Sequence, residues 1–206
     1  MNINMNIKNV LNNVFVFTAP IIILVIVIYI TFRIIYLITK KEHVYVYKEI
    51  IYVLLIMYVL CLFQIVSFQD SSSIGTNNFI AFREILRYDI SSKYFVKNVI
   101  GNVIMFIPYG FFISYFFKSK KIYIPFIMSF VASISIEIMQ RYIGRVFDID
   151  DIILNCFGGI LGFLLYYVCR KVLYKLPKSF RSELFLNLYS IIFGVCFILV
   201  IIGVIL

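Results

Sequence analysis

What most constrains this chain is the recurrence of apolar runs about as long as a bilayer is thick. A helix rises about 1.5 Å per residue, so roughly 20 apolar residues cross the hydrocarbon core. Six stretches approach that length, at residues 14–38, 50–68, 98–117, 122–143, 152–169 and 184–206, the fifth being the shortest. Lipid offers the backbone no hydrogen-bond partners, so such runs fold as helices that satisfy their own amides and carbonyls. The chain is 63% hydrophobic and 14% charged, whereas a soluble domain is about half apolar and about a quarter charged. The expected fold class is all-α, a polytopic transmembrane helix bundle of about six spans. The first run is too long for a signal-peptide core, its leader carries Lys8 alone, and no small-residue cleavage site follows. It reads as a span.

The net charge of +9 does not point to nucleic acid, because the basic residues cluster beside apolar runs, at Lys40/Lys41, Lys118/Lys120/Lys121 and between Arg170 and Arg181. Juxtamembrane anchoring explains that placement. Cys61, Cys156, Cys169 and Cys196 lie within or at the ends of apolar runs without short paired spacing, so neither a disulfide framework nor a zinc site is indicated. His43, the one histidine, sits in a charged loop beside Lys40, Lys41 and Glu42 and reads as a solvated surface residue.

With six spans, the loops after the first, third and fifth carry eleven Lys/Arg and the opposite side carries seven. The positive-inside rule then places both termini outside, along with the 69–97 loop and the turn from Arg145 to Asp151. Within that loop Phe79, Phe82, Ile85 and Leu86 recur at helical spacing opposite Arg83, Glu84 and Arg87, behind an Asn78 cap. A short interfacial helix and a structured loop folded over the bundle fit equally well.

The strongest chemical signal is polar residues where lipid is expected. Ser133, Ser135, Glu137, Gln140 and Arg141 interrupt the fourth run. An ionisable group at that depth is costly and needs a partner; Arg141, four residues from Glu137, shares its helix face and could form an internal ion pair, with Gln140 bordering it. Then come Arg145, Asp148, Asp150 and Asp151, with Asn155 one turn beyond Asp151. One Asp would cap the fifth helix. The remaining oxygens, with Glu137 and Asn155, suit a divalent cation, an ammonium or a cluster of hydroxyls. No metal is assigned, but Asp148, Asp150 and Asp151 are its candidate ligands. Asn98 and Asn102, four apart, start the third span on the same side and could face these acids or bond between helices. Pro108, followed by Gly110, should kink that span, while Gly158, Gly159 and Gly162 form a ridge suited to close helix packing. No nucleophilic triad, phosphate loop or HExxH motif is present.

Four segments in order carry a family likeness: Asn98-Val-Ile-Gly-Asn-Val-Ile-Met-Phe-Ile-Pro108-Tyr-Gly110, Ile136-Glu137-Ile-Met-Gln140, Arg145-Val-Phe-Asp148-Ile-Asp-Asp151, and Asn155-Cys-Phe-Gly158-Gly159. Their order and spacing closely resemble the VanZ-like membrane proteins. Asn78-Phe-Ile-Ala-Phe82 is similar to that family's Asn-Leu-Ile-Pro-Phe segment, with Ala81 in place of the proline. The likeness spans residues 78–170 of a 50–206 membrane domain and leaves 1–49 as an extra N-terminal span and cytoplasmic loop. It implies a bacterial plasma-membrane protein, the founding member being associated with resistance to teicoplanin more than vancomycin.

Three function classes follow. In the first, an outward polar pocket built from Asn98, Asn102, Glu137, Gln140, Arg145, Asp148, Asp151 and Asn155 binds an envelope lipid, a lipid-linked cell-wall precursor or a glycopeptide antibiotic. In the second, Glu137 is the general base of an intramembrane hydrolase or transferase whose aspartates hold a metal. The third is a small transporter in which Glu137 and Arg141 exchange partners.

Overall fold

The computed structural model describes residues 3–41, 43–68, 77–142, 144–192 and 195, with side chains from residue 19 onward except at 65–68. Its regular structure among these residues is helical, and one isolated backbone bridge joins Asn78 to Asp148. The chain forms two compact units, residues 1–68 with 176–206, and residues 69–175. Among the described residues, five helical stretches are long and apolar enough to cross a membrane: Ala19–Lys40, Val46–Gln64, Lys93–Phe116, Tyr123–Tyr142 and Ile149–Lys175.

In the first unit, α1 (Ile3–Lys40) and α2 (Val46–Phe68) form a helical hairpin. Outward side chains such as Ile23, Leu24, Phe32 and Phe63 are exposed and apolar, as lipid-facing residues must be. One charged pair crosses the hairpin. Arg33 Nε lies 3.0 Å from both Glu49 oxygens, Arg33 Nη2 lies 2.8 Å from Oε1, and Tyr29 donates its hydroxyl to Oε2 at 2.7 Å. The same unit contains α8 (Glu183–Ile192), where Asn187 Oδ1 accepts from Tyr47 N at 3.1 Å and Glu183 meets His43 at 2.8 Å. The sixth expected run, 184–206, is thus helical over its first part; residues 193, 194 and 196–206 lie outside the described residues.

The second unit carries α3 (Arg83–Arg87), the short α4 (Lys93–Phe95), a π-helical turn over Val96–Ile100, α5 (Gly101–Phe116), α6 (Tyr123–Tyr142) and α7 (Ile149–Lys175). Ser92 caps α4 by accepting from Phe95 N at 3.1 Å. α5 runs on through Pro108. The run expected to be shortest, 152–169, belongs to the longest of the five candidate spans, with 27 residues. Its helix starts at the aspartate turn and continues past the apolar run through Arg170, Lys171 and Lys175, whose long stems can lie along apolar surface.

Glycine sets the distance between α5 and α7. A Cβ on Gly110 would collide with the Gly159 carbonyl, one on Gly158 with Val103 O, and one on Gly162 with Ile107 O. The helices therefore meet backbone to backbone, as small residues permit. α6 contributes Ser129, Ser133, Glu137 and Gln140, all buried, and Ser129 packs where a Gly159 side chain would stand. This seam of small and polar groups leads to the candidate site.

Candidate functional site

The site lies where α6 ends and α7 begins, in the second unit. Glu137 is 1% exposed. Its Oε2 accepts from Asp148 N at 2.9 Å. With the Gln140 amide oriented to satisfy its neighbours, an assignment made from hydrogen bonding, Gln140 Nε2 donates to Glu137 Oε1 at 3.0 Å and its Oε1 accepts from Arg145 Nη1. Arg145 N also donates to Gln140 O at 2.9 Å. The connection from α6 to α7 thus folds back on the end of α6, so that Arg145 reaches the carboxylate through Gln140.

Arg141 does not fill that role. It shares the nominal helix face of Glu137, but it is exposed and makes no ion pair among the described residues. The i,i+4 rule ranks neighbours on an isolated helix; here the returning turn brings in a closer cation from outside the helix.

The aspartates take separate tasks. Asp148 precedes α7, and its Oδ1 accepts from Asp150 N at 2.9 Å, so Asp148 is the helix cap. The same oxygen accepts from Asn78 Nδ2 at 2.9 Å. Burial pushes the Asp148 carboxyl above its ordinary value, against the opposing effect of these two donors. Asp150, 1% exposed, accepts from the backbone amides of Phe82, Glu84 (2.7 Å) and Ile85 (3.2 Å). Asp151 Oδ1 accepts from Asn102 Nδ2. No group of three His, Cys, Asp or Glu among the described residues is placed to hold a metal ion.

Asn78 is not the α3 cap. That position falls to Phe82, in a left-handed conformation with φ 66° and no side-chain cap, and Asp150 supplies the missing acceptor from α7. Asn78 instead docks its segment: Asn78 N donates to Phe147 O at 2.9 Å, Ile149 N to Asn78 O at 3.1 Å, and Phe147 N to Asn77 Oδ1 at 3.1 Å. Phe79 stacks on Phe147 with centroids 5.4 Å apart. The segment from Asn77 to Arg87 is therefore fastened over the start of α7.

Asn98 and Asn102 part company. Asn102 is buried and meets Asp151, while Asn98 donates to the Tyr88 hydroxyl at 3.0 Å. Asn98 lies within the π-helical turn at Val96–Ile100 and Asn102 in α5. Asn155, one turn below Asp151, donates to Ser133 Oγ at 2.9 Å. Glu137, Gln140, Arg145, Asp148, Asp151, Asn102 and Asn155 thus form one cluster, with Asn98 at its margin. Asn77, through its side chain, and Asn78, through side chain and backbone, belong to it by bonds to residues 147–149, which no local periodicity reveals. Arg33 and Glu49 were also illegible as partners, being 16 residues apart on two helices.

A family model described as VanZ/LLP1 matches residues 49–170, a span that includes every residue of this cluster. The chain belongs to the VanZ/LLP1 family. Among curated proteins it is similar to Protein VanZ of Enterococcus faecium, 39% identical over 77 residues, which are 36% of this chain and 47% of that relative. The chain therefore spans about half the length of the curated relative it matches. No solved structure matches. Family membership and the five long apolar helices together make this a membrane protein.

Proposed function

We propose that this VanZ/LLP1 protein works in the bacterial plasma membrane, where its polar cluster faces outward and binds an envelope lipid, a lipid-linked cell-wall precursor or a lipid-bearing glycopeptide, lowering susceptibility to drugs of the teicoplanin kind. One observation carries the reading: a carboxylate 1% exposed, Glu137, is bound by Asp148 N and Gln140 within the last two turns of a candidate span. Ionisable groups inside membranes are costly and mark sites by default. The excess of Lys/Arg on the opposite loops supports an outward site with both termini outside.

The metal-dependent hydrolase reading draws no support from the aspartates, because no three His, Cys, Asp or Glu among the described residues are grouped to hold a metal ion. The deciding experiment compares empty vector, wild type and Glu137→Gln at matched membrane levels in a cell-walled bacterial host challenged with teicoplanin and vancomycin. Selective protection against teicoplanin by wild type, lost in Glu137→Gln, is expected. Protection that survives Glu137→Gln removes this carboxylate from the mechanism.

A further inference from the structure

Three acceptor oxygens of the cluster have no donor among the described residues. Asp148 Oδ1 is taken by Asn78 and Asp150 N, while its Oδ2 accepts nothing from the described residues. Asp151 gives Oδ1 to Asn102 and leaves Oδ2 in the same condition. Deeper in, Asn155 is 3% exposed, and its Oδ1 is a buried acceptor with no hydrogen-bond partner. This amide forms the floor beneath the carboxylates: it lies one turn below Asp151 on α7, bonded to Ser133, which is one turn below Glu137 on α6. A buried acceptor without a donor is costly, and one in a native fold calls for a group that supplies the donor.

Charge runs the same way. Glu137, Asp148, Asp150 and Asp151 share the cluster with a single guanidinium, Arg145. Buried negative charge needs positive compensation held by hydrogen bonds. A phosphate would add to the surplus. A primary ammonium would offset it, because it places three N–H donors on one compact positive nitrogen.

We propose that this site takes a primary ammonium group, held by Asp148 Oδ2, Asp151 Oδ2 and Asn155 Oδ1, and presented by an aminophospholipid head group or a free amine. The assignment rests on the reading that the cluster binds an envelope component, and it narrows that component to a cationic hydrogen-bond donor.

The full-length protein, reconstituted with equal amounts of phosphatidylethanolamine, phosphatidylcholine and phosphatidylglycerol of identical acyl chains, tests this by native mass spectrometry of the retained lipid. Phosphatidylcholine has the same net charge as phosphatidylethanolamine but no N–H. Phosphatidylethanolamine is expected to be retained about tenfold over phosphatidylcholine, the scale of one charge-assisted hydrogen bond. Asn155→Leu should bring the ratio to about one. Asp148→Asn, on the rim, should lower it as well and serves where the core variant folds poorly. Excess ethanolamine that abolishes the preference identifies the amine alone as sufficient, and persistence of the preference identifies the whole head group; both outcomes keep the ammonium assignment. Equal retention of the two zwitterionic lipids, or preference for phosphatidylglycerol, overturns it. Equal retention together with Glu137-dependent drug protection refutes the ammonium and leaves the proposed function standing, whereas an ethanolamine preference without any drug protection does the reverse.

Discussion

Arg33 and Glu49 in the first unit meet as one bidentate pair across a hairpin, side chains 30% and 19% exposed, with Tyr29 completing the carboxylate's bonds. Glu137 in the second unit is held by an amide N–H and by a glutamine that itself accepts from Arg145. The first arrangement joins side chains of two helices. The second engages the end of α6, the start of α7, the opening of α5 and the segment from Asn77 to Arg87. A pair of opposite charges can be exchanged for apolar groups as a unit. A network in which each donor serves a different segment has no such equivalent, since removing one member strands several others.

The contrast can be broken most forcefully at the glycines. Gly110→Val would drive Cβ into the Gly159 backbone, which has no rotamer to move, and should cost about 3 kcal/mol or more, read as a large drop in thermal stability in detergent. Gly101→Ala, whose added Cβ would meet nothing nearer than 3.7 Å, is the matched control and should be close to neutral. Asp150→Ala comes next. It leaves the amides of Phe82, Glu84 and Ile85 without their acceptor, and a local loss of about 2–3 kcal/mol should appear as faster hydrogen exchange at those three positions.

Arg33→Met should destabilise by about 1–2 kcal/mol, discounted for partial exposure. Adding Glu49→Met should recover most of it. A double variant as unstable as the sum of the singles would show that the first unit also depends on a wider network.

The smallest expected effect is a pH slope. The Asp148 carboxyl is held above its ordinary 3.8 by burial, so the folded state binds that proton more tightly than the unfolded chain does. Its contribution is fully present below the unfolded value and is lost as pH rises through the folded one. Melting temperatures from pH 4 to 7 should therefore decline more steeply with pH in wild type than in Asp148→Asn.

These differences also mark what could be read in the sequence. The long apolar runs specified the helices, because bilayer thickness leaves little choice of element. The polar interruptions at Glu137, Gln140, Asp148, Asp151 and Asn155 identified the cluster, because intramembrane polarity is expensive enough to stand out. Partner choice was not legible. Helical spacing, visible in a string of residues, pairs Arg141 with Glu137, whereas the returning turn that brings Arg145 to Gln140 is not visible there. Spacing also groups Asn98 with Asn102, but the partner of Asn98 is the Tyr88 hydroxyl ten residues before it. Asn78 looked like a local cap because its real partner, Asp148, lies 70 residues away.

Asp148 performs two actions at one residue: its carboxylate starts α7, and its backbone amide binds the carboxylate that ends α6. A change in the charge or occupancy of Glu137 therefore acts on the residue that caps the next helix. In engineering terms the residue is a coupling between two shafts.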